Sequence, residues 1–516
     1  MNRKEFLKQL SLVSGGVAFG MNGVPVKAFA YNPFAVQMEA TAGKILVLVQ
    51  LAGGNDGLNT VIPYESAAYY SRRANIAIRK QDVLPLNSQI GLNPNMIALK
   101  NLYDNGKMTL VQSVGYANPN RSHFRATDIW LTASNAEELL DEGWAGRYLT
   151  KMYPGFPVSI PEHPMAVQLG SVESLLIQTD LGSTGVVFSS PTNFYNLVNG
   201  TTIDNEPIPD TLAGEELKFM RQIATQSVAY SGVIKQKWEI SAKNISPYPS
   251  TGLASQLRIV GELIGGGLQT PVYLTTIGGF DTHANQVVAN ATTTGTHANL
   301  LKTVSEAVAA FQKDLEKRGL ADKVVVMTFS EFGRRVNQNG TMGTDHGSAA
   351  PLFVIGNSVR GGIIGKTPSL TDLDANGDIK FEFDFRQIYT SILQDHLGVE
   401  SPVVKDIMGQ RDFSTLPIFR TSTTPLLVHN DEFSLEQNFP NPFVETTQIR
   451  YSVNKKMSIK LSLYDMLGRE VMTLKEATLP AGNYTAQLNG EQWMPGLYFC
   501  MMKCDSGQKV IRIVKA

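Results

Sequence analysis

Residues 330–347, SEFGRRVNQNGTMGTDHG, carry an acid and an arginine, Glu331 and Arg334, then a Gly/Asn-rich stretch, then an adjacent acid and imidazole, Asp345 and His346. Three other stretches are built the same way. Asp56 stands between Asn55 and a glycine, with Asn59 close behind; Ser122 stands between Arg121 and His123; Asp281 and His283 are two residues apart. Carboxylates and imidazoles together are ligands for zinc, manganese, iron or magnesium. One or two such ions, the latter about 4 Å apart, can hold an ester oxyanion while a hydroxyl or a water attacks it. A serine at a helix start is placed where an attacking hydroxyl and a bound phosphate or sulfate are stabilised. Arginines such as Arg121, Arg334 and Arg335 match tetrahedral oxyanions.

Each stretch also has a plainer reading. Gly, Asn and Asp after a strand serve any tight turn, and a serine before a helix is commonly its N-cap. A lone Asp-x-His is a weak signal, and an Asp-His-Gly at a strand end is more specific. The ordered set carries more information than any member.

The elements that would position these residues alternate. Residues 44–51 (KILVLVQL), 107–114 (KMTLVQSV), 271–277, 323–329 (KVVVMTF) and 351–355 are short apolar runs rich in β-branched residues, the pattern of strands buried on both faces. Residues 125–133, 212–242, 251–265, 297–320 and 383–397 read as helices. Alternation of this kind predicts an α/β fold, a mainly parallel sheet with helices on both faces. In such a sheet the strands' carboxyl ends share one edge, so the polar stretches can converge there. Residues 367–378 contain Asp372, Asp374 and Asp378. They lack the terminal bidentate glutamate of a calcium loop and read as a solvated acidic turn.

A chain of 516 residues with 43% hydrophobic and 18% charged residues can bury more than one core. Its net charge of −1 gives no electrostatic case for nucleic acid or an anionic membrane. The two cysteines, Cys500 and Cys504, fall near the C-terminus, so the body has neither a disulfide framework nor a thiolate metal site. On one extended strand they would stand ~13 Å apart, too far to bridge. Residues 1–30 read as an export signal: Arg3 and Lys4, a weakly apolar segment, and a small-x-small Ala28-Phe29-Ala30. The order resembles a twin-arginine signal with Lys4 in place of the second arginine, which leaves the twin-arginine and general routes both open. No segment is long and apolar enough to predict a transmembrane span. Residues 419–432 read as a linker. From residue 433 the chain turns to strands and turns, with 457–463 alternating strictly, which predicts a small all-β sandwich over 433–516.

The order Asp, Ser, Asp/His, Asp-His at successive strand ends is similar to the alkaline phosphatase and sulfatase superfamily. More narrowly, GGNDGLNTVIPY (53–64), RSHF (121–124), GGFDTHANQ (278–286), SEFGRR (330–335) and TDHG (344–347) resemble domain-of-unknown-function family 1501 of that superfamily, over about residues 40–415. The resemblance implies an alkaline phosphatase-like domain over 40–418. It implies one metal site from Asp56, Ser122, Asp345 and His346, with Ser122 the nucleophile, and a second from Asp281 and His283. His123 or Glu331 can stand in as a ligand, and Asn55, Asn59, Glu331 and Arg334 support the ligands or bind the anion. The chain departs from the alkaline phosphatase pattern in the spacing of Asp281 and His283, two apart rather than four. It departs again after Asp345-His346, where no third site histidine follows: His396 falls in a predicted helix and His429 in the linker.

The motifs LEQNFPNPF (435–443), T-x-I-x-Y (447–451), YD-x-LGR (464–469) and PGLYF (495–499) resemble the type A sorting domain of the type IX secretion system. This implies handling by that machinery in a Bacteroidota-type cell, and export to the surface or beyond. A carbohydrate- or protein-binding sandwich is the competing reading of the same module, and no aromatic platform supports it. The expected function is an exported metal-dependent hydrolase of small phosphate or sulfate esters. The alternative is a catalytically silent surface binding or structural protein on the same fold.

Overall fold

The computed structural model describes residues 43–200, 207–208, 211–420 and most of 433–515, with the paired strands Phe19–Met21 and Val24–Val26. The rest of the predicted export signal, and residues 421–432 of the predicted linker with His429, lie outside the described residues. The chain forms two compact units, Met1–Thr421 and Ser422–Ala516.

The first unit is organised on one nine-stranded sheet. Its strands are β1 (Ile45–Leu51), β2 (Met108–Gly115), β3 (Ala166–Leu169), β4 (Gly185–Phe188), β5 (Val272–Ile277), β6 (Val324–Phe329), β7 (Ala350–Ile355), β8 (Gly362–Ile364) and β9 (Phe383–Asp384). Their order is β4-β3-β5-β1-β6-β7-β2-β8, with β9 also on β2. All pairs are parallel except those of β7, which is antiparallel to both β6 and β2. The reversal has a simple cause. The chain leaves β6 at its carboxyl end, forms the 330–347 loop, and re-enters the sheet from that same edge.

Alternate side chains of β1 enter different cores, as the unbroken apolar runs require. Ile45, Val47, Val49 and Leu51 pack with helices Ile97–Asp104, Gly252–Gly265 and Thr296–Lys317. Leu46 and Leu48 pack with helices His123–Thr132, Trp144–Met152 and Phe385–Ser391. Strands β5 and β6 divide in the same way, Tyr273 against Val272 and Leu274, and Val326 against Val325 and Met327. Full burial of each such side chain contributes about 1.5–3 kcal/mol. The mixed α/β sheet with helices on both faces is the expected one. The helix expected over 383–397 is shorter, Phe385–Ser391, and runs into a single π turn, Ile392–His396. There buried His396 donates to the Ile45 carbonyl, 3.1 Å away.

The second unit is antiparallel throughout. A three-stranded sheet (Phe433–Leu435, Thr446–Val453, Gly482–Asn489) and a four-stranded sheet (Met457–Tyr464, Glu470–Leu479, Gly496–Cys504, Gly507–Lys515) share one core. Thr446–Val453 alternates strictly between exposed and buried positions up to Tyr451. Ile449 and Tyr451 from one sheet meet Ile459 and Leu461 from the other. Cys500 and Cys504 lie on one strand, as read from the sequence.

Candidate metal centre and active site

Four parallel strands deliver the polar loops to one edge: β1 runs into 52–56, β2 into 116–123, β5 into 278–286 and β6 into 330–347. The loops pack closely enough that glycine is required. Gly53 has φ +122°, and a side-chain carbon there would clash with the backbone of Phe280 and Asp281. A side chain at Gly343 would strike the backbone of Thr282 and His283.

Arg334 ties the loops together. It is buried, and its guanidinium donates to the carbonyls of Gly53, Gly54 (2.6 Å), Phe280 (3.2 Å) and Thr344 (2.7 Å) and to Asp281 Oδ1 (2.6 Å). These five acceptors engage all three of its nitrogens and the side chain is fully buried, so Arg334 positions Asp281 and is closed off from a substrate anion.

Three imidazoles surround the Asp281 carboxylate. Nε2 of His283, His346 and His123 stands 3.2, 3.4 and 3.5 Å from its oxygens. Each ring is held from behind through Nδ1. His123 Nδ1 is 2.8 Å from Glu331 Oε1, His283 Nδ1 is 3.2 Å from Asp345 Oδ1, and His346 Nδ1 is 2.8 Å from the Arg121 carbonyl. All three partners are acceptors, so the Nδ1 atoms carry the protons and the Nε2 atoms carry lone pairs. Phe332, buried beneath the rings, lies 4.5 Å from the His346 centroid and 4.9 Å from that of His123.

This arrangement fits a positive charge at its centre. Nε2 of His283 and His346 face each other at 2.8 Å with both Nδ1 protons already committed. Nε2 of His123 is buried and has no hydrogen-bond partner among the described residues. An imidazole backed by a carboxylate or carbonyl is how proteins orient metal-binding histidines. His123, Asp281 and His346 bring ligand atoms within 4.8 Å of one another, the one such cluster among the described residues. The donor set therefore fits a cation. Burial raises the Asp281 pKa, but the Arg334 hydrogen bond and charge outweigh it, and the group is held below the usual carboxylate range. Burial keeps His346 below the ordinary imidazole value.

The grouping differs from the one that the resemblance implied. Asp56 is fully buried, paired to Arg73 at 2.6 Å, bonded by Gln286 Nε2 at 2.6 Å, and caps the Gly57–Thr60 turn through the Leu58 N–H. Its oxygens are committed within the fold, and it does not join the cluster. Burial works against its ionisation, but Arg73 outweighs burial and lowers its pKa. Asn55 accepts from His297 at 2.8 Å, and Asn59 bonds Ile76, Tyr69 and Arg73, so both are buried loop anchors. Asp345 stands behind His283, also held by Asn339 at 3.1 Å, rather than beside His346. Glu331 is likewise behind its histidine, and it accepts from the Gly53 N–H at 2.9 Å. His123, expected beside the nucleophile or as a substitute ligand, stands among the candidate ligands.

Ser122 is the N-cap residue of His123–Thr132, yet its side chain makes no capping bond. It is exposed, and its N–H is bonded to Asn120 Oδ1 at 2.9 Å. Arg121 is turned to Asp378, a buried carboxylate from the supposed solvated turn. That reading is corrected at Asp378 alone: Asp372 is exposed and paired with Lys380. Arg335, 43% exposed and 3.9 Å from Asp378, is the cation at this edge least engaged by the protein. Spacing gave no sign of Arg73 or Asp378, since each is defined by a partner distant in sequence.

Solved structures similar to this chain belong to the alkaline phosphatase and sulfatase superfamily. A protein of the alkaline phosphatase superfamily from Vibrio parahaemolyticus is 11% identical, covering 93% of this chain and 91% of its own, with a TM-score of 0.34. The PsFucS1 sulfatase from Pseudoalteromonas sp. is 11% identical over 92% and 91%, with a TM-score of 0.30. The lipoteichoic acid synthase LtaP from Listeria monocytogenes is 10% identical over 78% and 81%, with a TM-score of 0.31. No curated protein sequence matches. Residues 269–408 match the family described as protein of unknown function (DUF1501), and residues 437–516 match the secretion system C-terminal sorting domain, which marks the chain for export to the cell surface or the extracellular space.

Proposed function

We propose that the first unit is a metal-dependent hydrolase of phosphate or sulfate esters that works outside the cell. The observation that carries this is the convergence of three Nδ1-anchored imidazoles on Asp281. His123, His283, His346 and Asp281 would hold the ion. Nitrogen-rich donors favour zinc or iron over magnesium, and a single cluster favours one ion over two. Bound there, the cation supplies a Lewis acid that polarises the ester oxygens. Ser122 offers its hydroxyl for attack, and the N-terminus of its ten-residue helix favours negative charge beside it. Arg335 orients the ester anion, since Arg73 and Arg334 are fully buried and Arg121 is engaged by Asp378. Glu331, Asp345 and the Arg121 carbonyl keep the imidazole protons on Nδ1. Residues 1–30 would act as leader, 419–432 as linker, and 433–516 as the segment handled by the type IX machinery.

Purified protein tests the reading. Elemental analysis should find about one transition-metal ion per chain. The nitrophenyl esters of phosphate and sulfate should be turned over by the native protein, with Ser122→Ala at least about a hundredfold slower and Asp281→Asn depleted of metal. A protein that takes up neither zinc nor iron and hydrolyses neither ester is the silent surface protein instead.

A further inference from the structure

A second site lies at the opposite edge of the sheet, where β1, β5 and β6 begin. A cavity of about 410 Å³ opens there, lined by residues that include Lys44, Tyr148, Met152, Leu268, Lys323 and Leu397. Its walls are mainly aliphatic and aromatic, with a few polar groups, and its volume falls within the range of ~300–1,000 Å³ typical of small-molecule sites.

The charged groups among them are both cationic, Lys44 and Lys323, beside the neutral Tyr148, Tyr153, Gln269 and Thr270. Tyr148 is 4% exposed and lines the cavity, and its hydroxyl makes no hydrogen bond among the described residues. Burial raises its pKa, so it stays a donor. Lys44, half-buried, donates to a backbone carbonyl, that of Asp322 at 2.9 Å, and to nothing else among the described residues. Lys323 makes no ion pair among the described residues. Lys44, Lys323 and Tyr148 thus line a mainly apolar cavity that has no carboxylate among its lining residues. An anion brought into such a cavity would accept charge-assisted hydrogen bonds from the two ammonium groups and one from the phenol.

We propose that this cavity binds an anionic amphiphile, a carboxylate on an aliphatic chain, with the carboxylate on Lys44, Lys323 and Tyr148 and the chain along Met152, Leu268 and Leu397. The site is separate from the metal centre and does not depend on the hydrolase reading.

The test is calorimetric titration of the full chain with octanoate and with 1-octanol, equal in length and differing in charge. Saturable one-site binding of octanoate is expected, at least tenfold tighter than octanol. Lys44→Met with Lys323→Met should remove that preference, and Met152→Trp should weaken both ligands by narrowing the cavity. All variants should keep the native melting temperature within a few degrees, so that lost binding is not unfolding. Absence of saturable octanoate binding to the native chain overturns the proposal. So does equal binding of octanoate and octanol, or octanoate binding unchanged in the double lysine variant.

Discussion

His346 Nδ1 lies 2.8 Å from the backbone oxygen of Arg121. This contact fixes more than a ring orientation. It commits the Nδ1 proton and turns the Nε2 lone pair toward Asp281 and His283. It also joins the 344–347 loop to the residue before Ser122, so the loop of the candidate ligand and the loop of the candidate nucleophile meet at this hydrogen bond.

If Asp281 and the histidines hold an ion, the ion stabilises the folded chain by mass action. Chelation should lower the melting temperature of the first unit, and zinc should restore it. His283→Ala with His346→Ala should melt at one temperature whether or not chelator is present. Differential scanning calorimetry on the full chain reads this directly. A native protein indifferent to chelator and to zinc would show that no ion contributes.

Glu331 supports His123 through charge as well as through a hydrogen bond. Glu331→Gln keeps an oxygen for the Gly53 N–H and for His123 Nδ1 but removes the negative charge. Metal affinity should fall by about 10- to 100-fold, the usual effect of losing a carboxylate behind a ligand. Competition with a chelator of known affinity measures it. An unchanged affinity would place the ion away from His123.

The sheet was legible because its strands are apolar on both faces, and only a parallel sheet covered by helices buries both. The edge was legible for the same reason, since parallel strands put all their carboxyl ends together. The grouping within the edge was not. Asp56 and Asp281 each follow a strand and a glycine-rich turn and look alike in sequence. Asp56 meets Arg73 and Gln286, whereas Asp281 meets Arg334 and three imidazoles. Which acid becomes a structural anchor depends on these distant partners. The same holds for Asp378, read as solvated beside Asp372 and Asp374 but buried against Arg121.

Arg73 and Asp56 are both fully buried. Arg73→Met should leave the Asp56 carboxylate without its counter-charge and cost about 3–5 kcal/mol. The pH dependence has a definite sign. The folded pKa of Asp56 is lowered, so its contribution is present above the unfolded value of about 3.9 and is lost as pH falls through the lower folded value. Denaturant unfolding at pH 7 and at pH 3 should therefore show a larger penalty for Arg73→Met at pH 7. An equal penalty at both would mean that the pair is not ionised in the folded state.

His297 gives the opposite charge type and the same direction. Its ring is buried, its Nε2 lies 2.8 Å from Asn55 Oδ1, and burial lowers its pKa to about 4. The unfolded chain, with an imidazole near 6.5, binds a proton that the folded chain refuses between those two values. Stability from this residue is thus complete above pH 6.5 and declines toward pH 4, with a limiting slope of about 1.4 kcal/mol per pH unit for one proton. His396, also lowered to about 4 by burial, adds a second such group. His297→Gln keeps a donor for Asn55 but cannot titrate. Its unfolding free energy should lie below the native value at pH 7 and approach it as pH falls to 4.5, because the native chain alone loses the His297 share. Parallel profiles for the two proteins would mean that the folded state admits the proton, and that the ring is not sealed beneath the Asn55 loop as the structure has it.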